Sequence, residues 1–237
     1  MNNIKQALIC ILAFSGLAHA DCSSLRKYLL EQSVKHKQMI LCKHGYLNAY
    51  QPEWKIPAYT IEDKTKQEIM TEAVKRTNSF REDTDIPEQY RSTLTDYKGS
   101  GYDRGHYVPA EDMDDNKDSM HDTFLLSNMA PEDPYANGVI INAIENYIRS
   151  QIIQNEEGII WTGTIINAGH EPNTIGNHVV VPDYVFKAVY YPKKDYCDIF
   201  LIRNAKTRSD HIIDDHRVHY DVIEHMSDFK LKQCHGT

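Results

Sequence analysis

This chain has no surplus of positive charge. Its 26 Lys and Arg are outnumbered by 34 Asp and Glu, giving a formal charge of −8 over 237 residues. That excludes a protein held to polyanions by its overall field, because such binding rests on cations that neutralise phosphates. It leaves room for a local basic groove, since net charge does not say where charge sits. Long apolar runs are missing too. Ala7 to Leu17 is shorter than the ~20 residues a membrane span requires, and no later stretch approaches it. Gly/Ser linkers, internal repeats and low-complexity tracts are absent, which leaves no seam at which to divide the chain. Cysteine never recurs as Cys-x-x-Cys, which argues against a structural zinc site.

What is there begins with a targeting signal. Lys5, the apolar stretch and Ala18-His19-Ala20 read together as a secretory signal over residues 1–20. The expected location is therefore secreted or periplasmic, without stable membrane association. A lipoprotein reading prompted by Cys22 ranks second, because Asp21 does not suit a lipid-attachment site. Residues 21–237 suffice for one α+β domain with a substantial core. Cys10 leaves with the signal, and Cys22, Cys42, Cys197 and Cys234 remain. An even number in an exported chain suggests two disulfides, among three pairings. Cys22–Cys42 and Cys197–Cys234 are favoured because they tie down the two ends.

Periodicity places the elements. Leu25, Leu29, Leu30 and Val34 predict a helix over 24–41, capped by Ser23 or Ser24. Tyr46 to Ile61 alternates and is broken by Pro52 and Pro57, which predicts two strands. Ile140, Ile144, Tyr147 and Ile148 predict the buried stripe of a helix from about Ala136 to Gln151. Asn137, Ile141 and Glu145 then share one i, i+4 row, with Glu145 leaning back towards Asn137. Residues 159–163 read as a strand ending at Gly163. Residues 179–182 and 184–190 read as a strand and its neighbour, and residues 198–203 as another. His216 and His219 stand at helical spacing, yet no third ligand accompanies them, so a charged surface helix is the better reading.

The stretch with the most chemistry is Tyr102-Asp103-Arg104-Gly105-His106. His106 supplies a base whose ordinary pKa is near 6.5. Arg104 supplies a planar fork that matches phosphate oxygens. Gly105 is expected to turn the backbone so that the two are aimed separately. Ser127-Asn128-Met129-Ala130-Pro131 follows, then Asn137 and Glu145, an amide and a carboxylate able to address one ion or its waters. Arg76, Arg81 and Arg91 are candidate phosphate contacts upstream. Each residue also has a plain reading: a structural histidine, an Asp103–Arg104 ion pair, Asn137 as a helix cap, Glu145 as a solvated helix residue. On the residues alone those plain readings outweigh the catalytic one.

Asp-Arg-Gly-His, then Ser-Asn-x-x-Pro, then Asn and Glu on a helix, resembles the DNA/RNA non-specific endonuclease family, in order from roughly Tyr46 to Phe200. The likeness includes the 97–101 approach and the Val181-Pro182…Phe186-Lys187 strand. It implies a ββα-metal nuclease core on a larger antiparallel sheet flanked by helices, with residues 21–237 as a single nuclease domain. It implies His106 as general base, Asn137 as the magnesium ligand and Glu145 as the acid that orients metal-bound water. Arg104 and Asn128 would stand near the phosphate, and Asp103 would order the loop. Glu132 departs from the pattern, standing where relatives often carry Gln. The expected activity is metal-dependent cleavage of DNA, and of RNA, with little sequence preference. Magnesium is the expected ion, with manganese as a substitute. The alternatives are a non-catalytic nucleic-acid-binding domain of the same fold, a phosphodiesterase for small nucleotides, and a metal-buffering exported protein.

Overall fold

The computed structural model describes residues 22–31 and 37–235. The expected signal over residues 1–20 lies outside them. In chain order the strands are β1 (Met39–Lys43), β2 (Tyr46–Gln51), β3 (Ile56–Thr65), β4 (Asp103–His106), β5 (Met129–Glu132), β6 (Glu157–Ile165), β7 (Thr174–Ile175), β8 (Val179–Val180), β9 (Tyr184–Tyr191) and β10 (Tyr196–Arg203). Six form one sheet in the order β1-β2-β3-β6-β9-β10, antiparallel at every pairing. The fold is α+β, as expected.

Both faces of this sheet are covered, which explains why β2 is buried at all six positions rather than alternating. On one face Leu47, Tyr59, Ile61, Trp161, Phe186 and Ile199 pack with Leu25, Ile223, Phe229 and Leu231. On the other, Ile160, Val185, Val189, Phe200 and Ile202 meet Ile140, Ile144, Ile148 and Ile152. Burying one such Ile is worth about 1.5–3 kcal/mol. The second face also carries polar side chains in its middle, among them Thr60, Glu62, Thr162, Thr164 and Lys187, all buried. The functional groups stand above this polar row.

Among the described residues no helix is long and apolar enough to cross a membrane. The disulfides are Cys22–Cys42 and Cys197–Cys234, the favoured pairing. Several expectations are corrected. Residues 24–41 do not form one helix. A 3-10 turn spans Ser23–Tyr28, Leu30 N–H donates to the Tyr59 hydroxyl, and Met39–Lys43 is the edge strand β1. Residues 179–180 pair with Thr174–Ile175 rather than with β9. β6 does not end at Gly163 but runs to Ile165. The His-rich tail forms two short helices, Ile212–His216 and Tyr220–Met226. There His216 Nδ1 lies 2.8 Å from the Ile212 carbonyl and His219 pairs with Asp221 at 2.9 Å.

Candidate active site

β4 and β5 form a separate two-stranded ribbon, with Asp103 opposite Glu132 and His106 opposite Met129. A π-wound segment, Ala136–Ile141, follows β5 and runs into a long α-helix, Asn142–Asn155. The order is thus strand, strand, helix. Strand alternation puts Arg104 and His106 on the same face of β4, two residues apart. Phe80 touches both: it lies 4.3 Å beneath the Arg104 guanidinium and 5.6 Å from the His106 ring. Gly105 therefore does not aim the two residues apart, as its sequence context suggested. Its φ lies outside the left-handed region. Glycine is required because a Cβ there would stand 2.0 Å from Glu132 Cδ.

These groups line a cleft of about 260 Å³, bounded by Arg76, Arg104, His106, Pro109, Glu111, Asn137, Gly138, Asn142 and Glu145. A larger cavity of about 460 Å³, lined by Trp54, Ile165, His225 and Phe229 among others, holds none of the motif residues. His106 is wedged between Phe80 and Phe124, the latter edge-on at 5.1 Å. Its Nε2 is buried with no hydrogen-bond partner, as is Arg104 Nε. Burial, with help from the Arg76, Lys187 and Arg104 cations, pushes the His106 pKa down to about 3. The imidazole is therefore a neutral proton acceptor at ordinary pH. Arg76 reaches the cleft while held by Glu111 at 2.8 Å and stacked over Phe124 at 5.3 Å.

On the opposite wall, Asn137 Nδ2 donates to Asp103 Oδ2 at 3.0 Å. A carboxylate only accepts, so this bond fixes which way the amide points. It leaves the carbonyl oxygen for the cleft. Glu145 is 13% exposed and pairs with Lys187 at 2.9 Å. Burial pushes the Glu145 carboxyl above its ordinary pKa, while Lys187 pulls it back. An amide oxygen and one carboxylate are hard donors that suit a largely hydrated magnesium-like ion. No group of three or more His, Cys, Asp or Glu is arranged for a metal among the described residues, so a dedicated protein cage is not what this wall offers. The expected i, i+4 row is altered by the π winding, in which Asn142 N–H bonds back to the Asn137 carbonyl. Ile141 turns into the core, and Asn142 takes its place on the cleft.

Three expected phosphate contacts are not on the cleft. Asn128 is fully buried. Its Oδ1 accepts from Val108 N–H, and its Nδ2 donates to the Val108 and Thr123 carbonyls. It clamps the loop after His106. Arg81 is occupied by the His121 carbonyl at 2.6 Å and by Asp122 at 3.2 Å. Arg91 likewise bonds the Ile86 and Thr84 carbonyls. The reading from sequence also missed supporting residues. Lys187 is 1% exposed in an otherwise apolar strand; a lone lysine in such a run is itself a signal, because buried charges are paired. Arg149, one helical turn beyond Glu145, holds Asp112 at 2.7 Å and so fixes the wall around Pro109.

A family model described as DNA/RNA non-specific endonuclease matches residues 27–237. Human mitochondrial endonuclease G is 31% identical over 156 residues, covering 62% of this chain and 52% of that protein. Mitochondrial nuclease EXOG of Xenopus laevis is 28% identical over 199 residues, covering 77% and 56%. The chain thus spans little more than half the length of these relatives. Among solved structures, one described as the crystal structure of the EndoG/EndoGI complex, concerning the mechanism of EndoG inhibition, is similar at a TM-score of 0.76. It is 25% identical and covers 81% of this chain and 84% of that one. Both curated relatives are named mitochondrial, and this overturns the secreted or periplasmic location expected from the N-terminus.

Proposed function

Because the chain belongs to the DNA/RNA non-specific endonuclease family, we propose that its cleft hydrolyses phosphodiester bonds within DNA and RNA, with a divalent ion, magnesium in the first instance, at Asn137 and Glu145. The reading treats residues 21–237 as one nuclease domain, supported by the family match over 27–237. The location favoured by the relatives' names is mitochondrial. The observation that carries the proposal is the juxtaposition of the His106 imidazole and the Arg104 guanidinium in one cleft, opposite an amide whose oxygen is aimed by Asp103.

A water oxygen bonds to phosphorus while its proton passes to the His106 imidazole. The bond from phosphorus to the leaving sugar oxygen breaks, and that oxygen takes up a proton. Arg104 and Arg76 bear the charge that builds on the non-bridging oxygens. When bound, the ion polarises the phosphate and stabilises the leaving oxygen. An arriving phosphate also offsets the cations that depress the His106 pKa, making the imidazole a better base where it is needed. Contacts confined to phosphate and sugar carry no sequence information, which fits weak sequence preference. The local cations in the cleft, not the overall charge, attract the substrate.

Incubating supercoiled plasmid and RNA with magnesium, with manganese and with excess chelator tests this reading. Nicking and linearisation that stop with chelator are expected. Full activity in chelator removes the ion from the mechanism, and binding without cleavage under every ion favours the binding-domain alternative.

A further inference from the structure

The charged atom of Lys187 is bonded to both sides of the site from below. Its Nζ lies 2.9 Å from Glu145 Oε1 on the long helix. It donates to Thr162 Oγ1 at 3.1 Å and to the Tyr107 carbonyl at 3.3 Å. Tyr107 directly follows His106, and its own hydroxyl is 2.5 Å from Thr164 Oγ1, which donates to the Pro57 carbonyl. An ammonium has three donors, and all three are used. One ends on the metal side of the cleft, one beside the base, and one on β6 in the rigid sheet.

The surrounding carboxyls say which of them this lysine serves. Glu62 and Glu132 are also fully buried and feel its charge. Burial lifts Glu62 well above its ordinary range and Glu132 to about 8, so both favour the neutral acid. Two other nearby cations are committed elsewhere: Arg149 to Asp112 at 2.7 Å and Lys64 to Asp115 at 3.6 Å. Glu145 is the carboxylate that Lys187 touches, and it is the one that lines the cleft.

We propose that Lys187 is a positioning residue for this site: it ties Glu145 to the Tyr107 carbonyl through the main sheet and thereby sets the separation of the ion-binding wall from His106. The proposal rests on the phosphodiesterase reading above. A misplacement of about 1 Å costs roughly 10²-fold in rate, so a rigid tie of this kind is worth a buried charge. The length of the side chain fits this role. A strand residue must reach past the buried row to groups on two other elements, and lysine's four-carbon stem does so while its head remains a compact donor.

A double-mutant cycle with Lys187→Met and Glu145→Ala tests it, read in kcat and KM on plasmid and, separately, in magnesium affinity by calorimetry without substrate. Lys187→Met is expected to lower kcat about 10²-fold with KM for long DNA nearly unchanged, and to weaken magnesium roughly 10-fold. In the Glu145→Ala background the same change should add less than about threefold to either quantity, because residues acting as a unit are not additive. A purely structural lysine would lower the melting temperature and scale activity by the folded fraction in both backgrounds. Losses that simply multiply overturn the proposal. Should Lys187→Met alone fail to fold, the double variant, which leaves no unpaired buried charge, is compared with Glu145→Ala: equal kcat supports the tie, a further 10²-fold loss overturns it. A wild-type chain that cuts neither plasmid nor RNA counts against the nuclease reading, and the cycle in magnesium affinity still decides the role of Lys187.

Discussion

Asn137 Nδ2 and Asp103 Oδ2 are 3.0 Å apart, joining the π-wound turn to the first strand of the ribbon. Asp103 therefore does more than order its loop: it selects the rotamer and the face of an amide that otherwise presents either a donor or an acceptor to the cleft. Asp103→Ala should leave the fold intact and weaken magnesium about 10–100-fold, the usual cost of removing a residue that orients a ligand. Calorimetric titration of the folded variant checks it, and unchanged affinity would show that Asn137 is oriented by something else.

The extent to which the sequence foretold this arrangement follows from what each residue touches. The strand-strand-helix order came only with the resemblance that the motifs carry. The disulfide pairing was legible because it ties down the two ends of the chain, and the main-sheet strands β2, β3, β9 and β10 because alternation and apolar runs marked them. The helix expected over 24–41 was not, because Leu25 and Leu30 pack on the sheet and Leu41 lies in its edge strand; tertiary contacts overrode local spacing. Asn128 sits in a motif, but its role as a loop clamp depends on Val108 and Thr123, and no spacing announces such bonds. The π winding escaped notice because Ile140, Ile144 and Ile148 keep an ordinary helical interval.

Arg76 and Arg81 looked equivalent in sequence and are not equivalent in space. Arg76 lines the cleft, whereas Arg81 is spent on Asp122 and a carbonyl. Arg76→Ala should weaken binding to DNA of any sequence and lower the slope of log affinity against log salt by about 1. Arg81→Ala should leave that slope alone. Fluorescence anisotropy in chelator, across a salt series, separates them.

Glu132 gives a pH-dependent prediction. Its carboxyl oxygens are buried without hydrogen-bond partners, and burial raises its pKa from 4.5 to about 8. A raised folded pKa means its stability contribution is complete below 4.5 and is lost as pH rises through 8. Glu132→Gln, which keeps the shape and removes the titration, should match wild type in unfolding free energy near pH 4 and exceed it increasingly up to about pH 8, by up to a few kcal/mol. A constant difference across that range would mean that Glu132 ionises freely in the folded chain.

His106 carries the sharpest test. Its pKa of about 3 in the free protein predicts that kcat/KM, which reports the free enzyme, shows no loss at pH 6.5 from protonation of this residue. The same shift has a stability sign. The folded pKa lies below the unfolded value of 6.5, so the contribution of His106 is complete above pH 6.5 and is lost as pH falls towards 3. Replacing His106 by Ala should lower activity about 10²–10⁴-fold if it accepts the proton of the attacking water. Polymer binding should persist, because affinity comes mainly from cations meeting phosphates. Loss through unfolding is the competing explanation, and circular dichroism and melting on the same sample distinguish it. The ring is also packed against Phe80 and Phe124, so His106→Gln, closer in volume, serves as a second variant with less cavity cost. Two folded variants that cut plasmid at the wild-type rate would remove the base from the mechanism and leave the cleft as a binding site.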